Sequence, residues 1–256
     1  MEFPKIAAFA AIILSTFTAC KKDNNTTPAP NNVTKGSFKL EFEHIWGTPA
    51  TEFELGTDLI HPMTGDTLNF TKFKYYLSNI KLKKSDGTWW SEEESYHLID
   101  ISVAGSNVLK LDNVPSGTYT ELQYTLGVDS TRNVSGAQTG ALSISNGMFW
   151  SWNSGYIMLK AEGTSPNSSS GSFAFHLGGF KGANNIVTTR TTDFEGSTLD
   201  INPSASPQVH MQVNPAFLWC NGVSCKVTNS IMMPGADAKI MANLFYNDIK
   251  FEHIHP

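Results

Sequence analysis

Residues 37–46 read SFKLEFEHIW, and this stretch sets the fold class of the chain. Apolar and polar side chains alternate along it, and successive side chains of a β-strand point to opposite faces of a sheet. One face carries lysine and glutamate, whereas the other face carries Phe38, Leu40, Phe42, His44 and Trp46. The alternation predicts a strand with one face in the core, as is typical of an antiparallel sheet.

Comparable strand patterns recur along most of the chain. They lie at 73–84, 95–102, 106–111, 118–128, 173–178 and 209–214. Turn-forming pairs such as the Asp-Gly at 86–87 and the Asn-Gly at 146–147 separate them. Helical patterns are few, namely a Pro-led segment at 215–219 and a segment at 237–247. We therefore predict an all-β protein, an antiparallel β-sandwich with minor short helices.

The N-terminal residues predict export. Residues 6–17 form an apolar run that is too short to span a bilayer as a helix, and the run ends in the Phe-Thr-Ala-Cys of residues 17–20. These residues resemble a lipobox, in which the signal is cut before the cysteine and the cysteine is acylated. We predict a lipoprotein signal peptide at 1–19, with Cys20 lipidated, a polar tether at 20–35 and a β-sandwich domain at 36–256. An ordinary signal peptide is the alternative. Either version places the protein in the cell envelope, and the lipid would anchor it to the membrane, periplasmic or surface-exposed.

The other two cysteines form a candidate disulfide. If Cys20 carries lipid, Cys220 and Cys225 remain as a pair. An Asn-Gly between them lets the chain turn back and close a short loop. Free thiols are the alternative.

The charge of the chain argues against nucleic acid as a partner. The formal net charge is −5, from 18 basic and 23 acidic residues, and the globular part has no cluster of lysine and arginine. Phosphate binding needs such a positive surface.

Histidine is the residue type that most strongly indicates chemistry. His44 continues the apolar face of its strand, where an imidazole costs free energy unless its nitrogens find partners. A metal ion would be one such partner, and hydrogen bonding to the backbone is the alternative. His176 ends a strand beside two glycines. The candidate metal ligands on strands are His44, His97, His176 and His210.

Three further histidines lie outside these strands. His253 and His255 alternate in the terminal HIHP, so both side chains would project to the same side of an extended chain and form a chelating pair. A polar tail is the alternative. His61 precedes a proline in a loop and is expected at the surface.

The aromatic stretch MFWSWNSGYIML at 148–159 predicts a β-hairpin. Met148, Trp150 and Trp152 would share one face of it. If His44 and His176 converge on a metal ion, this face is the candidate wall of the metal pocket. If they do not, the rings serve packing alone.

Enzyme motifs are missing from the sequence. It has no G-x-S-x-G, no Gly-rich phosphate loop and no H-E-x-x-H, so catalysis is not expected. A metal-dependent hydrolase, with Asp100 or Asp129 as base, is a minor alternative. Trp89 and Trp90 after an Asp-Gly turn support another alternative, a surface β-sandwich module that binds glycan or peptide through exposed aromatics.

Four motifs occur in an order that resembles a known family. They are YYLSNIKL at 75–82, LGVDSTRN at 126–133, MFWSWNSGYIM at 148–158 and FHLGG at 175–179. The ordered set is similar to the MbnP-like family of exported copper-binding proteins, and more narrowly to its lipoprotein branch in Bacteroidetes-type bacteria. The resemblance covers nearly all of residues 36–256. It implies a β-sandwich with one copper ion, Cu(I), held chiefly by histidine, that serves copper uptake, storage or handling.

The resemblance also implies a modified tryptophan and a partner enzyme. In the characterised members a di-haem enzyme oxidises a tryptophan near the site to kynurenine, which helps to bind the metal. Trp46, Trp150 and Trp152 all lie in matching segments, so the choice among them stays open. Val134 stands where the family has the histidine of an Asn-His pair, so one family ligand is absent. His44 and the C-terminal histidines are candidates to replace it, and Met148 and Met158 flank the aromatic stretch as candidate thioether ligands.

Overall fold

The computed structural model describes residues 33–136, 138–150, 154–219 and 224–256, together with Met1. In chain order the strands are β1 (Lys35–Trp46), β2 (Thr51–Glu52), β3 (Asp58–Ile60), β4 (Thr67–Lys84), β5 (Trp89–Ser91), β6 (Tyr96–Asp100), β7 (Val108–Pro115), β8 (Gly117–Leu126), β9 (Phe149–Trp150), β10 (Gly155–Thr164), β11 (Ser172–Gly178), β12 (Thr188–Asp193), β13 (Leu199–Ile201), β14 (Gln208–Val213), β15 (Ser230–Ile231) and β16 (Lys250–His255). These strands form two sheets, and the predicted all-β class is confirmed.

The first sheet has the order β16–β14–β1–β2. The strand β7 also pairs with β1, on the edge opposite β14. β1 and β14 run parallel, with Glu41 opposite His210. β14 and β16 run antiparallel, with His210 opposite His253. The sheet is therefore mixed rather than purely antiparallel. The alternation within one strand reports its buried face but not the direction of its neighbour, so the sequence pattern could not reveal the parallel pair.

The second sheet is built around the long strand β4. Its order is β12–β8–β4–β10–β11–β15, with β3, β5 and β6 also paired to β4, β9 paired to β10 and β13 paired to β8. The β9–β10 pairing joins Trp150 to Gly155, so the predicted hairpin forms, although residues 151–153 lie outside the described residues.

The core lies between the two sheets. Phe42 of β1 contacts Tyr75 of β4 and Tyr124 of β8 edge-on, with ring centroids 6.4 Å and 6.1 Å apart. All three rings are fully buried. Such edge-to-face pairs add to the stabilisation from buried apolar area. The face of β1 that carries Phe38, Leu40 and Phe42 is thus the inner face, as its alternation predicts.

The helices are short. Asp129 caps α1 (Ser130–Asn133) by accepting hydrogen bonds from two backbone N–H groups of its first turn. The predicted helix near the C-terminus forms as α2 (Ala236–Asn247), and Phe245 on it packs against Phe73 and Tyr75 of the core. The Pro-led segment forms a 3₁₀ helix, Pro215–Trp219. No helix in the described part of the chain is long and apolar enough to cross a membrane.

Candidate metal centre

Three histidines meet on the outer face of the first sheet. Val209 and Met211 of β14 point into the core, so His210 between them points outward. β16 brings His253 opposite His210 and His255 opposite Gln208. The segment that follows α2 thus completes a cluster that begins on β14.

The three imidazoles are close enough to share one ion. The rings of His210 and His253 stack with centroids 4.4 Å apart and planes 13° apart. His255 stands edge-on to both, with centroid distances of 4.8 Å and 4.5 Å. One nitrogen from each ring lies within 4.8 Å of the other two, and the Nε2 atoms of His253 and His255 are 2.9 Å apart.

This spacing fits a histidine-bound metal ion. With metal–nitrogen distances of about 2.0–2.1 Å, two ligand nitrogens in tetrahedral geometry lie about 3.3 Å apart. The 2.9 Å between the Nε2 atoms of His253 and His255 is close to that value. The lone pair of an imidazole lies in the plane of its ring, so the stacked rings of His210 and His253 must turn before all three nitrogens point at one ion. Imidazole is a ligand that copper and zinc both accept. The three-histidine cluster (His210, His253 and His255) is therefore a candidate metal centre.

Polar side chains around His210 hold its ring. The Nε2 atom of His210 is 3.3 Å from the Glu41 carboxylate and 2.9 Å from the Gln208 amide nitrogen, and that amide also donates to Glu41. Partners of this kind fix the orientation of a ligating imidazole. The His210 side chain is 14% exposed and that of His253 is 43% exposed, so the cluster has one anchored ring and one ring open to solvent.

The environment keeps His210 neutral near pH 7. Burial lowers the pKa of His210 below its ordinary value, the Glu41 carboxylate opposes this, and His253 and His255 add to the lowering. A neutral imidazole has a lone pair free for a metal ion, whereas a protonated one has none.

His44 and His176, the first predicted ligand pair, do not converge. Across the second sheet, Lys74, Lys160 and His176 stand side by side in register, so they share one face. Phe73 and Tyr75, the neighbours of Lys74, share the opposite face, and the ring of His44 packs against both of them. His44 therefore lies inside the sandwich and His176 outside it. The second sheet separates the two rings, so the condition on which the pocket between them depended is not met.

His44 is a half-buried histidine that lies between the core and an open cleft. Its Nε2 lies 3.1 Å from the Tyr75 hydroxyl, and its ring contacts Phe53. Burial lowers the pKa of His44 from 6.5 to about 3. A cleft of about 680 Å³ opens next to it, between β1, β2 and the loop after β6. The hydrogen-bonded alternative thus describes His44, with a tyrosine hydroxyl among its partners.

His176 and His97 pair with carboxylates. The Nε2 atom of His176 is 2.7 Å from Glu162, and that of His97 is 2.8 Å from Glu92. Within the described residues, the groups of three or more ligand atoms close enough to hold a metal include neither of these histidines. Of the four strand histidines predicted as ligands, the structure places His210 alone in such a group.

Comparison with known proteins supports the fold and the family. The model of the MbnP family matches residues 35–233. The chain belongs to the MbnP family. The fold is similar to a solved structure of MbnP from Methylosinus trichosporium, with 14% sequence identity, a TM-score of 0.52, and coverage of 81% of this chain and 84% of that chain. No curated protein matches the sequence.

Membership of the MbnP family supports a copper-related role and a binding protein rather than an enzyme. The family match ends at residue 233, before α2 and β16. His253 and His255 thus lie beyond the matched segment, and the motifs that carry the family resemblance do not point to the three-histidine cluster. The terminal HIHP, with its alternating histidines, is the signal in the sequence that does.

At the position of the family's Asn-His pair, this chain has Asn133 and Val134, and Asn133 has a structural role. Asn133 is buried, its amide donates to the carbonyls of Val128 and Asp129, and its Oδ1 accepts from the N–H of Tyr156. Val134 is exposed and offers no ligand. Asn133 therefore holds the loop to β10, and Val134 supplies no metal ligand.

Three of the residues predicted to line a metal pocket, Trp46, Met148 and Trp150, are part of the core. Trp46 is buried, donates from Nε1 to the carbonyl of Ile60 at 2.9 Å and stacks on Phe53. Met148 is fully buried, and the ring of Trp150 covers Gly178. Trp152 lies outside the described residues. Because His44 and His176 lie apart, the condition under which Met148 and Trp150 would line a metal pocket is not met.

The other thioether near the aromatic stretch is also occupied. The sulfur of Met158 accepts the N–H of Val128 at 3.1 Å and packs on Gly127. It stabilises the loop after β8 rather than reaching an open site.

The structure gives little support to the two alternatives, a metal-dependent hydrolase and a module that binds glycan or peptide. Asp100 pairs with Lys74 at 2.7 Å, and Asp129 caps α1 and accepts from the Tyr96 hydroxyl at 2.6 Å. Burial alone would raise the pKa of each carboxyl, but these partners outweigh it and lower the pKa, so neither is suited to act as a base near neutral pH. Trp89 and Trp90 are consecutive on β5, so their rings point to opposite faces and do not form one stacking surface.

The predicted disulfide stays a prediction. Cys225 is buried, and burial raises the pKa of its thiol to about 11. Its backbone N–H donates to the buried carboxylate of Asp66 at 2.7 Å. Cys220 and the lipidation site Cys20 lie outside the described residues.

His61 differs from its expected surface position. It is 1% exposed, with Nε2 2.9 Å from the carbonyl of Ala216. Its Nδ1 accepts the backbone N–H groups of Met63 and Thr64. A His-Pro in a loop is usually at the surface, and here the tertiary contact with the segment of Ala216 covers it.

Proposed function

We propose that this protein is an exported, lipid-anchored copper-binding protein whose three-histidine cluster holds the copper ion. The observation that supports it is the convergence of three ring nitrogens, from His210, His253 and His255, within 4.8 Å of one another. Copper is the cargo of such a protein, and the role served is copper uptake, storage or handling.

Three arguments favour copper at this cluster. The family supports a copper-related role. Three imidazoles complete a trigonal set, and Cu(I) accepts low coordination numbers and nitrogen ligands. The cluster lies at the protein surface with Glu41, Glu43 and Glu252 around it, so it presents negative charge to an arriving cation.

A competition titration tests the proposal. The folded domain is titrated with Cu(I), under anaerobic reducing conditions, against a coloured Cu(I) chelator, and native mass spectrometry counts the bound ions. We expect one copper ion for the wild type and none for His210→Ala/His253→Ala/His255→Ala. The matched control is His97→Ala/His176→Ala, which removes two half-buried histidines that pair with carboxylates and should keep the ion.

The envelope location needs a separate test. Cys20→Ser removes the proposed lipid acceptor without touching the domain. We expect the wild type in the membrane fraction with a mass that includes lipid, and the variant in the soluble fraction. An equal distribution of the two proteins would contradict lipid anchoring while leaving the copper site untouched.

A further inference from the structure

A β-bulge at Glu252 places two neighbouring residues on one face. His210 pairs with His253, but the next residue of β14, Met211, pairs with Phe251, so Glu252 is an extra residue in β16. In a regular strand Glu252 and His253 would point to opposite faces. The bulge shifts the alternation, so that both side chains reach His210 on the outer face.

The bulge thereby creates a second ligand set that contains His210. One carboxylate oxygen of Glu43, one of Glu252 and a ring nitrogen of His210 also lie within 4.8 Å of one another. Glu43 reaches this position because it shares the outer face of β1 with Glu41, which pairs with His210. The two ligand sets have His210 in common and differ in their other two members.

We infer that His210 is shared by two overlapping sites of different hardness: Cu(I) is held by the three histidines, and a divalent cation such as Zn²⁺ by Glu43, His210 and Glu252. The inference rests on the proposed function for the first set, and the second set adds to it. Carboxylates suit harder ions, whereas Cu(I) prefers softer ligands. Two carboxylates also balance the charge of a divalent ion, while three neutral imidazoles leave a single positive charge on bound Cu(I).

The shared residue makes the two sites exclusive. A neutral imidazole offers one lone-pair nitrogen, so His210 can ligate one ion at a time. Cu(I) and Zn²⁺ therefore compete for the protein even though the other ligands differ. Such a site would hold a divalent ion until Cu(I) arrives, and would release it on exchange.

Two double variants separate the sets. His253→Ala/His255→Ala removes the imidazoles specific to the first set, and Glu43→Gln/Glu252→Gln removes the carboxylates specific to the second at nearly unchanged volume. The control Glu54→Gln/Glu93→Gln removes the same amount of charge at two exposed positions outside both ligand sets and outside the cleft that Glu43 and Glu252 line. Circular dichroism confirms that each variant folds. Dissociation constants are measured for Cu(I) under reducing anaerobic conditions and for Zn²⁺ by chelator competition.

We expect a crossed pattern. The carboxylate variant should weaken Zn²⁺ binding at least about tenfold and leave Cu(I) within about threefold, and the imidazole variant should do the reverse. His210→Ala should weaken both, and Cu(I) should displace Zn²⁺ from the wild type. Zn²⁺ affinity that is equal in the wild type and the carboxylate variant, or simultaneous binding of both ions, would overturn the inference. Absence of Cu(I) binding with the Zn²⁺ results intact would instead contradict the proposed function alone.

Discussion

His210 and His253 face each other in register across β14 and β16, with their rings stacked at 4.4 Å. The helix α2 and the strand β15 lie between these two residues in the sequence, so only the folded chain brings them together. The binding energy of a metal ion held by both residues therefore adds to the stability of the fold, because the unfolded chain lacks the preformed site.

Removing His210 should abolish tight copper binding. His210→Ala deletes the most buried ligand of the cluster, the one that Glu41 and Gln208 orient. Loss of an outer partner of a metal ligand costs 10–100-fold in affinity, so loss of the ligand itself should cost at least about 100-fold. Chelator competition measures the change. His97→Ala serves as the control, and an equal loss there would contradict the assignment.

Copper binding at the cluster should not depend on tryptophan oxidation. The ring contacts that the structure shows for these three histidines are with one another, and both Trp46 and Trp150 are buried in the core. Protein produced without any di-haem partner enzyme should bind Cu(I), and Trp150→Phe should bind it within about threefold of the wild type. Intact mass reports any oxidation. Binding that arises only after an oxidised tryptophan forms would favour a site of the kind the family resemblance implies.

The inner faces of the strands could be predicted from the sequence, and the metal centre only in part. Alternation correctly assigned Phe38, Leu40 and Phe42 to the core, because burial of every second side chain leaves a local pattern. The chelating pair His253 and His255 was also visible. Their meeting with His210 was not, because it depends on a strand pairing and a bulge that no local pattern encodes.

The sequence also could not show that His44 and His176 lie on opposite sides of a sheet. Each lies on a predicted strand, and each strand forms. Whether the side chains of two strand residues converge depends on which sheet each strand joins and on which face each side chain lies. Both are properties of the whole fold.

His61 should make the protein less stable in mild acid. Burial is the main cause that lowers the pKa of His61 below 6.5, and its hydrogen bond with the carbonyl of Ala216 and the charge of Asp66 oppose this in part. Since the unfolded chain takes up the proton at higher pH than the folded chain, the stability from neutral His61 is complete above pH 6.5 and is lost as pH falls toward the folded pKa. The slope for one proton approaches about 1.4 kcal/mol per pH unit.

The comparison with His61→Asn isolates this effect. Urea denaturation at several pH values between 7 and 4.5 gives the free energy of unfolding of both proteins. The wild type should be the more stable at pH 7, and the difference should narrow as the pH falls. A difference that is constant with pH would contradict the assignment of a neutral, buried His61.

A side chain at Gly178 should destabilise the fold. A Cβ there would lie 2.4 Å from a ring carbon of Trp150 and 2.8 Å from the backbone oxygen of Tyr156. Gly178→Ala should therefore destabilise the fold by about 1–3 kcal/mol, as overpacking in a core does. Thermal or urea unfolding measures the loss. Gly235→Ala is the control, because no atom lies within 4 Å of its added Cβ, and equal losses in both variants would contradict the packing of Trp150 on Gly178.

The most direct test of the copper site is nuclear magnetic resonance of the histidine side chains during Cu(I) titration. The protein has seven histidines, and single variants assign their ring signals. At one equivalent of Cu(I), the signals of His210, His253 and His255 should shift together, while those of His44, His97 and His176 stay in place. Shifts of His44 or His176 with an unchanged three-histidine cluster would contradict the account.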